Sequence, residues 1–445
     1  MKNNLVLCIG LILFSGLSLI AQDNSGNNEP SKFNFNFSER FRLVMWDNAI
    51  DLNDAGPSNQ NFARVRTTLG TQYKACERLE FNLKLTNEFR KYFTPSTADF
   101  HLNEIIIDQL NLRYRTDAFI PGVLTIGRQN IFLGEGFVVL DGHPGDGSRS
   151  AYFNALRYDW NINSKHMLTG FFAYQPEEDF LPVINGKDID PAFQGDDSYQ
   201  LIEQSEKTAA LFYNGNFNDI NIQSYAIWKG IIGDGKKIVP ESNIYTLGAR
   251  IKLPISEQFN FTSEAAYQIG DVGDYDRSAY GGYAYLTYLL KIEKYFVPRT
   301  VNVGAFILSG DDTSTPDLEA WDPLFSRWPK WSESYIYTSL KENQGRVAYW
   351  SNMGAIYLQS NLNFGSGVGL DLNYYQLFTM EETAATSFLS GNGTDRGSLI
   401  IGKMNYKISD TITGHILWEH FTPGDFYFNR ADGYDWARME FFYNI

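Results

Sequence analysis

The sequence has 445 residues, with 52 acidic against 37 basic side chains, a formal net charge of −15 and only two cysteines. Such an acidic chain lacks the clustered Lys and Arg that phosphate contacts need, so we expect no nucleic-acid partner. Two cysteines exclude a cysteine-rich zinc site. We expect no metal and no other cofactor.

The first residues are typical of a secretory signal peptide. Lys2 precedes the apolar run Leu5–Ile20, and the small residue Ala21 stands before polar Gln22. This order of charge, apolar run and small residue predicts cleavage after Ala21. A short N-terminal membrane anchor is the alternative interpretation.

Cleavage defines the predicted domain limits: signal peptide 1–21, a short disordered leader 22–32, and one β-rich domain 33–445. Removing 1–21 takes away one lysine and no acid, so −15 becomes −15 − 1 = −16. Cys76 is then the sole cysteine, and no intramolecular disulfide can form.

After the signal, the chain alternates with the period of a β-strand and has no apolar run long enough for a transmembrane helix. In the first segment one face carries Phe33, Phe35, Phe37, Phe41, Leu43 and Met45, and the other Asn34, Asn36, Ser38, Arg40 and Arg42. Similar segments occupy 60–74, 78–93, 108–116, 243–253 and 409–420. About 16 to 18 such segments fit the chain at roughly 10 residues per tilted strand.

The polar face separates a membrane barrel from a soluble β-sandwich. Nearly every segment carries Arg, Lys, Glu, Gln or Asn opposite its apolar face, and nothing helical is available to cover that apolar face. A closed sheet, apolar towards lipid and polar towards water, explains both faces. The sequence therefore predicts an all-β fold, a single transmembrane antiparallel β-barrel in the outer membrane of a Gram-negative cell.

The connections fit such a barrel. Residues 176–206 contain nine acids and one base, and 311–345 contain three prolines and three tryptophans. We interpret both as long extracellular loops, and 216–219 as a short periplasmic turn. A flexible acidic linker between domains is the alternative for 176–206.

The C-terminal segment ends in alternating apolar and polar residues up to Ile445. We expect the barrel-assembly machinery to recognise this strand. Just before it, His415, Glu419 and His420 suggest a metal site, but on a strand His420 points away from the other two. The Gly365–Gly369 stretch starts no helix, so we interpret it as barrel glycines and not as a dinucleotide loop.

Arginines recur on the polar faces. Because an arginine facing lipid costs several kcal/mol at the membrane midplane, we expect them in the lumen, as a basic path for an anionic solute or paired with luminal acids. The candidates for this path are Arg40, Arg42, Arg64, Arg66, Arg113, Arg115, Arg128, Arg149, Arg157 and Arg250.

A glycine-rich stretch within 127–157 interrupts the strands. Long loops in compact proteins usually have a function, and the apolar residues 137–140 let this one pack. We expect it to fold inward and narrow the pore, with Gln129, Asp141 and Asp146 as constriction candidates. An ordinary surface loop is the alternative.

Several short motifs resemble the alginate export family of outer-membrane porins. They are Gly127-Arg-Gln129, Asp141…Gly147-Ser-Arg149, Tyr152-Phe-Asn-Ala-Leu-Arg157, Ser309-Gly-Asp-Asp312, Asp322-Pro-Leu-Phe325, Trp418-Glu-His-Phe-Thr-Pro-Gly-Asp-Phe426 and Ala437–Ile445. The resemblance implies an 18-stranded barrel with a basic constriction that passes an anionic uronic-acid polymer. It also implies that Arg128, Arg149 and Arg157 belong to the constriction or its supporting loops.

These observations predict a passive channel for an anionic saccharide or polysaccharide, with outer-membrane lipid as its surroundings and export or uptake proteins of the periplasm as further partners. An uptake porin for small solutes, a barrel enzyme and a non-conducting structural barrel are the alternatives. Conductance separates a channel from a structural barrel, and hydrolytic assays identify an enzyme.

Overall fold

The computed structural model describes residues 32–56, 59–95, 105–118, 120–140, 152–182, 204–233, 240–290, 298–326, 330–335, 338, 342 and 350–445. No helix in these ranges is long and apolar enough to cross a membrane. The strands are β1 (Phe33–Asp47), β2 (Gln60–Cys76), β3 (Leu79–Thr94), β4 (Ile105–Thr116), β5 (Gly122–Gln129), β6 (Phe153–Asn163), β7 (His166–Gln175), β8 (Glu206–Phe217), β9 (Ile220–Ile231), β10 (Ser242–Pro254), β11 (Phe259–Val272), β12 (Tyr275–Leu289), β13 (Pro298–Leu308), β14 (Met353–Gly365), β15 (Val368–Phe378), β16 (Asp395–Lys407), β17 (Ile412–Pro423) and β18 (Tyr434–Asn444).

The 18 strands form one closed antiparallel sheet. Each strand pairs with the next, and β1 pairs with both β2 and β18. The closing pair runs from Ser38 opposite Asn444 to Asp47 opposite Asp435. Closure leaves no free strand edge. A sheet that crosses lipid must have none, because each unpaired backbone group costs several kcal/mol there. The predicted antiparallel barrel of about 18 strands is confirmed.

The two ends of the barrel differ in their connections. At one end β2–β3, β6–β7 and β8–β9 are joined by two residues each, whereas the 309–352 connection lies at the other. Bacterial barrels carry their short turns on the periplasmic side, so we assign 216–219 to the periplasmic end. The glycine stretch at 365–369 contains another such turn, where Ser366 and Gly367 have φ of 49° and 80°.

The outer wall is apolar. On β1, Leu43 and Met45 are 39% and 60% exposed, whereas Arg42 and Val44, which alternate with them, are buried. The same alternation gives exposed Phe172, Leu247 and many other large apolar side chains on later strands. These side chains form the lipid-facing surface, because strand residues of opposite parity face opposite sides of a sheet.

The inner wall differs from the uniformly polar surface that the sequence predicts. Towards the extracellular end its residues are largely apolar and buried, among them Trp46, Phe62, Phe171, Phe306 and Trp436. They pack against the loops that follow β5 and β13. Strand periodicity cannot reveal this packing, because a luminal residue that contacts an inward loop is as apolar as one that contacts lipid.

Candidate functional site: inner loops and an arginine cluster

Residues 130–140, which we call inner loop 1, cross the lumen from β5 towards β10 and β12. Gly134 and Gly136 adopt φ of 58° and 75°, conformations that glycine adopts without strain. They flank Glu135, which accepts hydrogen bonds from Arg250 on β10 and from Tyr285 on β12 at 2.8 Å. The prediction that this stretch folds inward is thus met by its described residues.

Charge holds Glu135 in its ionised form. Burial raises the pKa of this carboxyl. The charges of Lys330 and Arg250, together with hydrogen bonds from Arg250 and Tyr285, more than offset burial and lower the pKa to about 2. Lys330 Nζ lies 3.2 Å from the Glu135 carboxylate and over the ring of Tyr283. Inner loop 1 is therefore tied to the far wall by a charged network at neutral pH.

Inner loop 1 also packs through apolar contacts. The Phe137 ring stacks on Trp321 with centroids 5.3 Å apart and meets the edge of Tyr283 at 5.5 Å. Val138 and Val139 beside it are fully buried. Such aromatic pairs contribute about 0.5–1.5 kcal/mol each beyond the area they bury. The loop is a packed part of the lumen.

Residues 309–326 and 330–335, which we call inner loop 2, follow β13 and contact the wall at two places. On one side the backbone of Asp322 exchanges two hydrogen bonds with the amide of Gln268, at 2.7 and 3.0 Å. Close by, Lys229 Nζ donates to the carbonyl of Leu324 at 3.1 Å and pairs with Glu206.

On the other side, inner loop 2 reaches β17 and β18. Glu333 accepts a two-pronged hydrogen bond from the Arg438 guanidinium, with one N–O distance of 2.7 Å. Glu419 accepts hydrogen bonds from the hydroxyls of Ser332 and Ser334 and from the backbone of Glu333. Two-pronged arginine–carboxylate pairs fix geometry as well as adding energy, so this contact sets the position of the loop.

The two inner loops also bind each other. The backbone nitrogen of Phe325 donates to the carbonyl of Val138 at 3.1 Å, and the Ser326 hydroxyl donates to the carbonyl of Gly136. Displacing either loop therefore breaks contacts of the other. Together they narrow the extracellular half of the lumen.

Five arginines on β18, β1 and β2 form what we call the arginine cluster: Arg438, Arg40, Arg42, Arg64 and Arg66. Arg40 lies directly opposite Arg66 across the strand pair, and Arg42 opposite Arg64. Like charges in directly opposed positions destabilise a sheet. Glu88 on β3 compensates, because its carboxylate accepts hydrogen bonds from Arg64, Arg66 and Arg40 at 2.5, 2.6 and 3.3 Å.

The other half of the cluster is a chain of hydrogen bonds. Arg42 donates to Glu440, His415 Nδ1 lies 3.3 Å from the same carboxylate, and Arg438 Nε donates to His415 Nε2 at 2.9 Å. Because an arginine N–H needs an acceptor, His415 is neutral here, with its proton on Nδ1. His415 thus joins the cluster, and His420 pairs with Asp435 on the outer side.

The cluster carries more positive than negative charge. Its five guanidinium groups meet three carboxylates among the described residues, Glu88, Glu440 and Glu333. These eight side chains sum to a charge of 5 − 3 = +2, although the whole chain carries −15. All five arginines are at most 8% exposed, and solvent ions screen buried charges less than exposed ones.

The remaining candidate arginines lie apart from the cluster. Arg113 and Arg115 are exposed at the periplasmic end of β4, where Arg113 lies 3.3 Å from Glu80. Arg157 on β6 pairs with Asp159 of its own strand at 2.8 Å, and Arg250 holds Glu135. The described members of the ten predicted arginines therefore do not form one continuous path.

Arg128 differs most from its predicted luminal position. Its cross-strand neighbours are Leu110 and Asn154, and Leu110 is exposed on the lipid-facing side. Strand alternation places residue 128 on that outer side, because Thr125, three positions earlier, faces inward opposite Arg157. Arg128 is nevertheless fully buried, because its guanidinium forms a two-pronged pair with Asp179 at 2.8 and 2.6 Å.

Gln129 is buried and its amide donates to the carbonyls of Gly127 and Ala155 at 3.2 Å, so it holds the strand end. Asp141, Asp146 and Arg149 lie outside the described residues. Sequence reasoning did not single out Glu88, Glu135 or Arg438. The Gly-Glu-Gly pattern at 134–136 was the one available signal for Glu135.

The described residues contain no group of three or more His, Cys, Asp or Glu side chains that could hold a metal ion. As predicted, His415, Glu419 and His420 do not converge on one point. His415 and Glu419 face the lumen, whereas His420 faces outward. The described lumen thus holds two inner loops and a group of five arginines.

Several solved structures share this fold. OccK7 (OpdD) of Pseudomonas aeruginosa matches with a TM-score of 0.57 at 11% identity, over 94% of this chain and 99% of that one. OccAB3 of Acinetobacter baumannii matches with 0.58 at 11%, over 93% and 99%, and OccAB4 of the same species with 0.57 at 9%, over 94% and 100%. At such identities the likeness concerns the fold.

The sequence gives a more specific assignment. Comparison with curated proteins finds no match. The sequence model of the alginate export family, however, matches residues 31–439, nearly the whole chain. Family and fold are those of channel proteins and not of enzymes, and they locate the chain in the outer membrane. The protein belongs to the alginate export family of outer-membrane β-barrel channels.

Proposed function

We propose that this channel passes anionic saccharides, of the polyuronate class, by passive diffusion along the arginine cluster. The observation that carries the proposal is the concentration of five arginines on three neighbouring strands, on the luminal side of a strongly acidic chain. A polyuronate bears one carboxylate per sugar, and fixed positive charge at a narrow passage favours such a solute. The family assignment supports the same solute class.

The proposal includes the route of the chain to the membrane. Residues 1–21 serve as a signal peptide, 22–32 as a leader, and the β18 strand as the element that barrel-assembly machinery recognises. The Ala437–Ile445 alternation supports the last point, since Met439 and Phe441 are exposed to lipid whereas Arg438 is buried.

A small anionic solute is the second candidate, and the packing of the inner loops favours it. Phe137, Trp321 and Leu324 are buried in one apolar cluster, so a thick polymer passes only if the loops move. Chain length of the solute separates the two candidates. Block by long polyuronate supports the polymer, and block by short oligomers alone supports the small solute.

The decisive experiment is the reversal potential of the purified protein in a planar bilayer under a KCl gradient. We expect anion preference in the unaltered channel, and a drop in the anion-to-cation permeability ratio of about 2- to 10-fold in the double variant Arg42→Gln/Arg64→Gln, because such luminal charges set potentials of the order of kT. Glu88 still has Arg40 and Arg66 as partners in this variant.

Two controls make the result specific. Arg64→Lys keeps the charge and should keep the selectivity. Lys165→Gln removes an exposed positive charge in the β6–β7 turn and should leave the reversal potential unchanged. Cation preference in the unaltered channel would overturn the proposal, and the absence of any conductance would favour a structural barrel.

A further inference from the structure

A recess lies on the periplasmic side of inner loop 2, against the walls of β13–β17. Its volume is about 330 Å³, at the small end of the range of about 300–1000 Å³ for small-molecule sites. Trp331, Ser332 and Glu333 of inner loop 2 cover it, and Glu333 also contacts Arg438 of the arginine cluster. The recess therefore adjoins the proposed path.

Four side-chain amides line the wall of the recess, together with charged groups that include Asp371, Lys403 and Glu419. Asn302, Gln359, Asn361 and Asn373 come from three neighbouring strands, β13, β14 and β15. Asn302 donates to Gln359 at 3.2 Å, and Gln359 donates to the Tyr375 hydroxyl at 2.8 Å. An amide both donates and accepts hydrogen bonds, so this row suits a ligand rich in hydroxyl groups. The Asn302 Oδ1 atom is buried and has no hydrogen-bond partner among the described residues.

Lys403 supplies a positive charge to the same recess. It lies directly opposite Asp371 across the β15–β16 pair. Asp371 is already occupied, because its two oxygens accept hydrogen bonds from Asn361 at 2.6 Å and Asn405 at 2.8 Å. No carboxylate lies within ion-pair distance of Lys403 in the described part of the chain. A lysine in a polar recess without such a partner is suited to receive a carboxylate from a ligand.

An aromatic ring completes the lining. The Trp331 indole stacks on Phe306 with centroids 3.8 Å apart and nearly parallel planes. This contact fixes the ring, which remains partly exposed. Preorganised aromatic and amide groups bind a ligand without the cost of ordering them on binding.

We propose that this recess binds one uronate residue of the solute, with its carboxylate on Lys403 and its hydroxyls on the amides of Asn302, Gln359 and Asn373. The recess would then be the part of the channel that recognises the sugar. The choice of a uronate as ligand rests on the proposed function. The recess differs from the arginine cluster in kind, since the cluster attracts any anion whereas the recess combines Lys403 with hydroxyl-binding groups.

The test is calorimetric titration of the detergent-purified full chain with sodium glucuronate, methyl glucoside and acetate. We expect glucuronate to bind more tightly than either the neutral sugar or the simple carboxylate. Lys403→Gln should weaken glucuronate binding about tenfold or more, equal to about 1.4 kcal/mol, and Lys403→Arg should restore most of it. The matched control Lys252→Gln removes another luminal lysine, on β10, and should leave binding unchanged.

The outcomes separate this inference from the proposed function. Equal affinity in Lys403→Gln and unaltered protein, or acetate binding as tightly as glucuronate, would overturn the recess as a uronate site. Reversal potentials of the same variants test the channel independently, because Lys403→Gln should stay anion-selective. If the unaltered channel prefers cations, the proposed function fails while the calorimetric result still decides the recess. Heat-dependent migration on gels verifies that each variant forms the barrel.

Discussion

The guanidinium of Arg250 on β10 donates a hydrogen bond to the carboxylate of Glu135 in inner loop 1. The loop leaves the wall at β5, so this bond spans the lumen. Tyr283 and Tyr285 on β12 and Lys330 of inner loop 2 bind the same carboxylate. One side chain thus joins both inner loops to β10 and β12.

Replacing Glu135 with Gln should loosen inner loop 1. The variant loses charge-assisted hydrogen bonds worth about 1.5–3 kcal/mol each, and it leaves Arg250 and Lys330 without the carboxylate between them. We expect larger and more frequent conductance steps in single-channel recordings. Glu382→Gln, which removes an exposed acid in the β15–β16 connection, is the control. Recordings of Glu135→Gln that match the unaltered channel would show that this carboxylate does not hold the loop.

The same carboxylate gives a defined pH dependence. Its pKa is lowered from the usual 4.5 to about 2, so its ionised form favours the docked loop. A lowered carboxyl pKa contributes stability fully above the usual value and loses it as pH falls through the lowered value. The difference in opening frequency between Glu135→Gln and the unaltered channel should stay constant from pH 8 to 5 and shrink between 4.5 and 2.

The titratable groups around Glu135 decide which acid the pH response is assigned to. Arg250 stays charged throughout this range, and Tyr283, Tyr285 and Lys330 do not lose protons on acidification. Glu264 shares the single hydroxyl proton of Tyr283 with Glu135, at 2.7 Å from the hydroxyl oxygen. It is the nearby acid that could also titrate. Glu264→Gln therefore serves as the second variant, and a pH response that follows Glu264 and not Glu135 would contradict the assignment.

The Arg128–Asp179 pair should matter for stability and not for selectivity. Both side chains are fully buried, and removing one partner of a buried pair costs about 3–5 kcal/mol because the other charge stays uncompensated. We expect Asp179→Asn to lower the unfolding temperature in detergent and to leave the reversal potential unchanged. Glu178→Gln, which removes the exposed acid next to it in the chain, is the matched control and should change neither quantity. A shift in selectivity in Asp179→Asn would return Arg128 to the solute path.

Strand periodicity was sufficient for the barrel, its lipid-facing surface and the strand positions of Arg40, Arg42, Arg64 and Arg66, because alternation with period two is a local property of the chain. It was not sufficient for the lumen. The register between strands decides which arginines share a carboxylate. Glu88 belongs to the cluster because it lies opposite Arg66 across the β2–β3 pair. The course of a loop across the lumen leaves no periodic signal at all.

The same limit explains Arg128. The Gly127-Arg-Gln129 motif predicts a functional role for Arg128. Whether Arg128 faces the lumen or the outer side follows from its distance along the strand from Thr125, whose inward position only the register identifies. The partner Asp179 lies 51 positions further along the chain. Long-range ion pairs of this kind cannot be inferred from spacing in one sequence.

The periplasmic mouth offers a chemical probe in Cys76. It is exposed and shares a recess of about 470 Å³ with Lys74, Arg78, Arg113 and Arg115, against Glu77 and Glu80. The positive excess should attract anionic reagents. We expect an anionic methanethiosulfonate to react with Cys76 about 2- to 10-fold faster than a cationic one, for a local potential of the order of kT.

Comparing two reagents on one thiol isolates the potential, because the thiolate fraction is the same for both and cancels in the ratio. The ratio should approach one in 1 M KCl, where the screening length is about 3 Å, and it should fall in Arg115→Gln. A cysteine introduced at Lys165 in a Cys76→Ser background provides the matched position on another periplasmic turn. Faster reaction with the cationic reagent at Cys76 would contradict a basic mouth at Arg113 and Arg115.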